Sequence, residues 1–174
     1  MEETVYLIGA RAAGKTTVGK ALAQALSYRF VDTDLYLLET TGRTVAEMVT
    51  AEGWESFRRQ EQTALRTVSA PRTVVATGGG MVLSAANRIF MREHGLVCYL
   101  YAPAFVLSER LARAPEATQR PSLTGEAIAD EVATVLAFRD PLYRTTAHCI
   151  LNASAPLQDV IEQAVAAKKP PAVD

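Results

Sequence analysis

Short runs of β-branched and other apolar residues alternate along the chain with segments in which apolar residues recur every three or four positions. The short runs predict five strands, at 4–8, 29–31, 73–76, 96–100 and 150–151. The helical spacing predicts a helix directly after the first strand and further helices at 35–41, 45–69 with a break near Gly53, 84–93, 104–113, 126–143 and 157–168. Strands that alternate with helices indicate an α/β fold: a mainly parallel, five-stranded sheet covered by helices on both faces.

The length of the chain predicts its domain organisation. At 174 residues the chain is about one average domain long, so we expect a single three-layer α/β/α domain over 1–169 and a C-terminal tail over 170–174. The segment 114–125 shows no periodicity and contains Arg120, two prolines and a glycine. Loops of this length without structure are usually functional or disordered, and we predict a mobile lid there.

Composition and charge exclude several classes of protein. Eighteen basic and nineteen acidic residues give a net charge of −1, which argues against a protein that binds nucleic acid or anionic membranes through its general surface charge. The least charged stretches are too short to span a membrane, and the N-terminus lacks the pattern of a signal peptide. We therefore expect a cytoplasmic monomer. Cys98 and Cys149 lack the spacing of zinc ligands, and we expect two buried thiols.

A nucleotide-binding motif lies between the first strand and the first helix. The residues Gly9-Ala10-Arg11-Ala12-Ala13-Gly14-Lys15-Thr16 fit G-x-x-x-x-G-K-[ST]. In such a loop the backbone N–H groups surround phosphate oxygens, the lysine reaches the β and γ phosphates, and the hydroxyl of Thr16 can bind Mg²⁺. A plain glycine-containing turn is the alternative, but the strand–loop–helix context favours nucleotide binding. The Cβ atoms of Ala12 and Ala13 lead us to expect that neither residue adopts a positive φ.

Polar or glycine-rich sequences follow two other strands, where ligands bind in folds of this class. Asp32 and Asp34 flank Thr33, so one carboxylate can hold a metal ion and the other can accept a proton. Alternatively, Asp34 caps the next helix. The glycines of 77–80 leave backbone amides bare for a small ligand, although a structural turn is the other interpretation.

Arginines and histidines outside these loops are harder to interpret. Arg58, Arg59 and Arg139 are each typical of solvated or ion-paired side chains, and sequence spacing does not show whether they converge. His94 and His148 have no partner at ligand spacing, so we interpret them as structural.

Taken in order, six motifs resemble one known family. They are 9–17, Phe30-Val31-Asp32-Thr33-Asp34, the E-G-x-x-x-F-R segment at 52–58, Thr77-Gly78-Gly79-Gly80, Arg120-Pro121-Ser122-Leu123, and the R-x-x-x-Y segment at 139–143. The set resembles the shikimate kinases, a family of the nucleoside-monophosphate-kinase-like group of P-loop enzymes. The chain departs from the family's usual residues at Ala12, where glycine is usual, at Asn152, where aspartate is usual, and at Ser122.

The resemblance implies a function, a sheet order and a set of roles. The function is transfer of the γ-phosphoryl group of ATP to the 3-hydroxyl of shikimate, in the biosynthesis of chorismate and the aromatic amino acids, with a sheet in the order 2-3-1-4-5. The catalytic residues would be Lys15, Asp34 and Arg120. The ligands of Mg²⁺ would be Thr16 and Asp32. ATP would contact Gly9, Arg11, Ala12, Ala13, Gly14, Lys15, Thr16, Thr17 and Arg120, with Arg113 (or else Arg110) and Pro156 beside the adenine. Shikimate would contact Asp34, Arg58, Gly78, Gly79, Gly80 and Arg139.

Two rival functions remain at this stage. One is another kinase on the same scaffold, acting on gluconate or a nucleoside monophosphate, and the motifs at 32–34, 52–58 and 139–143 argue against it. The other is a nucleotide-dependent switch module, which the glycine-lined pocket and the predicted lid disfavour because both features serve to exclude water around a small acceptor.

Overall fold

The elements of the fold follow the predicted order. The computed structural model describes residues 2–113 and 127–168, and the predicted lid, with Arg120, and the tail lie outside them. The strands are β1 (Thr4–Ile8), β2 (Arg29–Asp32), β3 (Thr73–Ala76), β4 (Gly95–Tyr101) and β5 (Cys149–Asn152). The helices are α1 (Lys15–Leu26), α2 (Thr33–Thr41), α3 (Val45–Val68), α4 (Ala85–His94), α5 (Ala104–Arg113), α6 (Ile128–Thr146) and α7 (Leu157–Lys168), with a short 3₁₀ helix at Met81–Leu83.

The five strands form one parallel sheet in the order β2-β3-β1-β4-β5, as predicted. In the centre, Val5 of β1 lies between Val74 of β3 and Leu96 of β4. The carboxyl ends of β1, β2 and β3 therefore meet at one edge. This edge carries the phosphate loop, the acidic pair and the glycine turn.

Alternating residues of the strands pack against two layers of helices. On one face, Val5 and Leu7 belong to a core cluster with residues of α1, α5 and α7. On the other face, Tyr6 and Ile8 belong to a cluster with residues of α3, α4 and α6. Every residue of β1 is buried, and after Thr4 the strand is a run of large, mostly apolar residues, as expected for a central parallel strand.

Helices α2 and α3 pack on each other beside β2 around a third cluster that contains Leu37, Met48 and Phe57. A capping box at Thr44 and Glu47 starts α3. The predicted break is confirmed at Gly53, whose φ of 84° requires a left-handed backbone that glycine adopts without strain. Helix α3 carries Arg58 to the glycine turn that follows the carboxyl end of β3.

One expectation about the cysteines is wrong. Cys98 and Cys149 are register partners on β4 and β5, with their Sγ atoms 3.2 Å apart. Cys98 is buried as expected, but Cys149 is only half-buried because β5 is an edge strand. In the part of the chain described, no group of three or more metal-ligating side chains comes together, and no helix is long and apolar enough to cross a membrane.

Candidate active site

The phosphate loop curls at the end of β1 around two glycines. Gly9 has a φ of 151°, and a Cβ there would lie 2.7 Å from the carbonyl oxygen of Leu100. Gly14 caps α1 with a φ of 93°. The Lys15 ammonium turns back over this loop and donates to the carbonyls of Gly9 at 2.6 Å and Ala10 at 2.8 Å. The lysine therefore stands where phosphate oxygens would compete for its protons.

Ala12 departs from expectation. Its φ is 64°, so a residue with a Cβ occupies the left-handed region that we expected to be closed to it. Tertiary contacts hold the strained turn: Arg110 donates to the carbonyls of Ala12 and Ala13, and also to that of Ala153 at 2.6 Å. Glycine, the residue usual in the family at this position, adopts such a φ without strain, whereas alanine does not.

The acidic pair at the end of β2 has two different environments. Asp32 is the N-cap of α2, because its Oδ1 accepts hydrogen bonds from the N–H groups of Asp34 and Leu35. Its Oδ2 accepts the hydroxyl proton of Thr16 at 2.6 Å, which brings the two predicted metal ligands together. The alternative in which Asp34 caps the helix is wrong. Asp34 lies in the first turn of α2 and lines the cavity.

The glycine turn is held mainly by its carbonyls. The carbonyls of Gly78 and Gly80 accept backbone N–H groups of the next turn, and that of Gly79 accepts the buried hydroxyl of Tyr143 at 2.6 Å. The N–H of Gly78 donates to Thr33 at 3.2 Å. Among the described residues, by contrast, the N–H groups of Gly79 and Gly80 have no hydrogen-bond acceptor, although both residues are buried. Such groups are donors for a ligand.

Two arginines from different helices converge on this turn. A Cβ on Gly79 would lie 3.5 Å from Nη1 of Arg139, and a Cβ on Gly80 would overlap the guanidinium of Arg58. Glycine is thus required at position 80 for the close approach of Arg58, whereas the contact of Gly79 with Arg139 is at ordinary van der Waals distance. Arg139 is 7% exposed, and the guanidinium of Arg58 lies 5.0 Å from the ring centre of Trp54. Arg59 is exposed and pairs with Glu55, away from this site.

Sequence reasoning missed Glu61, Tyr143 as a ligand of the turn, and the contacts of Arg110. Glu61 is 1% exposed and accepts a hydrogen bond from Arg58 at 2.9 Å, which fixes the guanidinium in place. The spacing of three residues on one helix is a signal that could have indicated this pair. No local pattern indicates the other two contacts, because their partners are remote in sequence.

The predicted adenine neighbours lie in different environments. Arg110 lines the cavity beside the phosphate loop, whereas Arg113 is exposed and pairs with Glu109. Pro156 is exposed where it precedes α7. The preference for Arg113 over Arg110 stays a prediction, and the geometry favours Arg110 as the arginine that contacts the loop.

A cavity of about 560 Å³ joins these groups. Its wall includes residues from the phosphate loop, the acidic pair, the glycine turn and α5: Arg11, Ala12, Gly14, Lys15, Thr16, Thr17, Asp32, Asp34, Gly78, Gly79 and Arg110. Arg58, Gly80 and Arg139 adjoin it behind Gly79. The cavity can hold a nucleotide phosphate at one end and a small anionic acceptor at the other.

A phosphate loop at the central strand of a 2-3-1-4-5 parallel sheet, opposite a bare glycine turn, is the arrangement of a P-loop kinase that acts on a small molecule. A family model described as "SKI: Shikimate kinase" matches residues 11–168. The chain belongs to the shikimate kinase family, and it is an ATP-dependent phosphotransferase with an alcohol acceptor.

Individual relatives and a solved structure agree with the family model. The chain is 60% identical over 163 residues to shikimate kinase 2 of Yersinia enterocolitica, covering 94% of each chain. It is 61% identical over 165 residues to shikimate kinase 2 of Syntrophotalea carbinolica, covering 95% of this chain and 96% of the relative. A structure of shikimate kinase from Acinetobacter baumannii in complex with shikimate superposes with a TM-score of 0.85 and 34% identity, covering 97% of this chain and 96% of that one.

Proposed function

We propose that this chain transfers the γ-phosphoryl group of ATP to the 3-hydroxyl of shikimate, giving shikimate 3-phosphate and ADP. One observation carries the choice of acceptor. The guanidinium groups of Arg139 and Arg58 lie beside Gly79 and Gly80, whose amides are buried donors without acceptors in the described chain. Two planar cations beside two N–H donors suit a small molecule with one carboxylate and several hydroxyls.

The phosphate end of the cavity suits ATP. The loop amides and Lys15 would surround the β and γ phosphates, and the lysine would exchange its two carbonyl acceptors for phosphate oxygens. Arg120 would add a second cation at the transferring group. Its position lies outside the described residues, so its role rests on the sequence resemblance.

The residues present fit a magnesium ion. Thr16 and Asp32 offer a hydroxyl and a carboxylate within 2.6 Å of each other, and Mg²⁺ prefers oxygen ligands and needs few of them from the protein when phosphates and waters supply the rest. The ion neutralises charge on the phosphates when it is bound. Because Asp32 also caps α2, the same carboxylate ties the metal site to the helix that carries Asp34.

Asp34 would accept the proton of the 3-hydroxyl. As the acceptor oxygen bonds to the γ phosphorus, the bond from that phosphorus to the bridging oxygen of ADP breaks, and the hydroxyl proton passes to the carboxylate of Asp34. The transition state of such transfers is loose, so alignment of the two oxygens contributes more than proton removal. The first turn of α2 supplies that alignment.

The remaining proposals concern the setting of the enzyme. We place it in the cytoplasm, as a monomer, in the biosynthesis of aromatic amino acids. The net charge of −1 and the lack of a membrane-spanning helix among the described residues are compatible with that setting.

The test is a coupled assay of ADP release with ATP alone and with ATP and shikimate. Turnover should depend on shikimate, and Lys15→Met should abolish it while the thermal midpoint changes little, since the lysine is half-buried at the first residue of α1 and belongs to none of the core clusters. Arg58→Ala and Arg139→Ala should each raise the Kd for shikimate by roughly ten-fold or more, because each removes a charge-assisted hydrogen bond worth about 1.5–3 kcal/mol.

Arg59→Ala is the matched control, since Arg59 neighbours Arg58 on α3 but pairs with Glu55 at the surface. Its shikimate affinity should equal that of the wild type. An unchanged affinity in both Arg58→Ala and Arg139→Ala would contradict the carboxylate site, and ADP release indifferent to shikimate would contradict the proposed function.

A further inference from the structure

Tyr143 makes a contact that catalysis by itself does not explain. Its side chain is 1% exposed on α6, and its hydroxyl donates to the carbonyl of Gly79 at 2.6 Å. It lies one helical turn after Arg139, so one face of α6 supplies both a guanidinium and a hydroxyl to the same glycine turn. Phe would fill this part of the core equally well, so packing does not explain the hydroxyl.

The Tyr143 hydroxyl bonds to the Gly79–Gly80 peptide, whose N–H has no acceptor among the described residues. The neighbouring carbonyls of Gly78 and Gly80 are held by backbone N–H groups, whereas Gly79 relies on a side chain. The Gly79–Gly80 peptide is trans, and in a trans peptide the C=O and N–H bonds point in opposite directions. With its carbonyl drawn toward Tyr143, this peptide directs the N–H of Gly80 away from the aromatic core.

A peptide between two glycines is the least constrained of all peptides. With no Cβ on either side, it can rotate to an orientation that exchanges the directions of its carbonyl and its N–H. The guanidinium of Arg58 requires the second glycine, because a Cβ on Gly80 would overlap it, and Nη1 of Arg139 lies 3.5 Å from the place of a Cβ on Gly79. The site thus needs glycine for space and needs something else to supply rigidity.

We propose that Tyr143 is a positioning residue for the acceptor: its hydroxyl locks the Gly79–Gly80 peptide so that the Gly80 N–H points at the bound shikimate. This inference rests on the proposed function. Without the lock, the unbound protein populates both peptide orientations and only a fraction of it binds the acceptor, which lowers the apparent affinity by that fraction. ATP, bound at the phosphate loop, does not depend on this peptide.

The test compares Tyr143→Phe with Tyr99→Phe. Tyr99 stacks on Tyr143 in the same core cluster, with ring centres 4.9 Å apart, but its hydroxyl donates to Asp140 at 2.6 Å and not to Gly79. Both variants lose one hydrogen bond and some stability. Tyr143→Phe should raise the KM for shikimate by about ten-fold and leave the KM for ATP unchanged, whereas Tyr99→Phe should change neither.

The outcomes separate the inference from the function it rests on. Lack of shikimate-dependent turnover in the wild type would overturn the proposed function. With wild-type turnover present, an unchanged shikimate KM in Tyr143→Phe, or an equal rise in both variants, would overturn the role of Tyr143 alone.

If Tyr143→Phe does not fold, a measurement on the wild type still tests the proposed role of Tyr143. In the ligand-free protein, the Gly80 amide should show no millisecond exchange in ¹⁵N relaxation dispersion, because the peptide is already locked. Exchange at Gly80 that disappears when shikimate is added would show that the substrate orients the peptide, and would overturn the proposal.

Discussion

At the scale of single residues, Ala12 holds a backbone conformation that its side chain opposes. Its φ of 64° costs an L-residue about 1–2 kcal/mol, whereas glycine there would lose only about 0.4–1 kcal/mol through the entropy of the unfolded chain. Ala12→Gly should therefore stabilise the protein by roughly 1 kcal/mol, measured as the free energy of unfolding in urea.

Ala13→Gly is the matched control for this prediction. Ala13 is buried and is not among the residues with positive φ, so its replacement removes a packed methyl group and adds backbone freedom. It should destabilise the protein by about 1 kcal/mol. If Ala12→Gly were as destabilising as Ala13→Gly, strain at Ala12 would not be the cause.

Replacement of Asp34 is the most direct test of the proposed proton transfer. Asp34→Asn keeps the size and the place of the side chain in the first turn of α2 but cannot accept a proton, so kcat should fall by about 10²–10⁴-fold while the KM for ATP is unchanged. Steady-state kinetics at saturating ATP measures both. Glu39→Gln, exposed on the same helix, should behave as the wild type. A kcat within ten-fold of the wild type would exclude Asp34 as the base, because the activation free energy would then rise by less than about 1.4 kcal/mol.

At the scale of elements, His148 links the pairing of β4 and β5 to pH. Its ring Nδ1 accepts the backbone N–H of Val97 at 2.9 Å, and the backbone N–H of His148 donates to the carbonyl of Val97 at 2.8 Å. Partial burial and the positive charge of Arg92 lower the pKa of His148 below its ordinary value of 6.5. The imidazole is therefore a neutral acceptor in the native strand pair.

The sign of the pH effect follows from that lowered pKa. As pH falls below about 6.5, the unfolded chain binds a proton at His148 that the native chain resists, so the free energy of unfolding decreases toward acid. Urea unfolding at pH 7 and pH 5.5 should show this loss, and His148→Asn, which keeps an acceptor but cannot titrate, should reduce it. His94→Asn serves as the control, and a pH dependence identical in all three proteins would contradict the assignment.

At the scale of the whole molecule, one sheet joins the site to the core clusters on its two faces. Every strand contributes to a single parallel sheet, and β1, at its centre, contacts both helical layers. We expect one cooperative thermal transition, because the layers share this strand. For a monomer the midpoint should not change over a hundred-fold range of protein concentration, and a midpoint that rises with concentration would indicate an oligomer.

Binding of shikimate should also stabilise the molecule as a whole. Shikimate at about 100 times its Kd should add about 2.7 kcal/mol to the free energy of unfolding, because the site exists only when β1, β3, α3 and α6 are assembled. The same concentration should have a much smaller effect on Arg139→Ala.

The sequence alone determined the features that depend on near neighbours along the chain. Strands followed from short runs of β-branched and other apolar residues, and helices from a spacing of three to four residues. The break at Gly53 followed from a glycine inside a helix, and the phosphate loop from a motif between a strand and a helix. Each of these signals spans a turn or two of chain, so it is readable without the fold. The sheet order, by contrast, was predicted from a family resemblance.

The tertiary structure decided which remote residues meet. The convergence of Arg58 and Arg139 over Gly80 and Gly79, the hydroxyl of Tyr143 on Gly79, and the positive φ of Ala12 held by Arg110 all join segments far apart in sequence. The choice of Asp32 over Asp34 as the cap of α2 also depended on three-dimensional geometry. Such contacts arise because the parallel sheet brings the ends of β1, β2 and β3 to one edge, and local propensity carries no information about which side chains that edge will bring within hydrogen-bond distance.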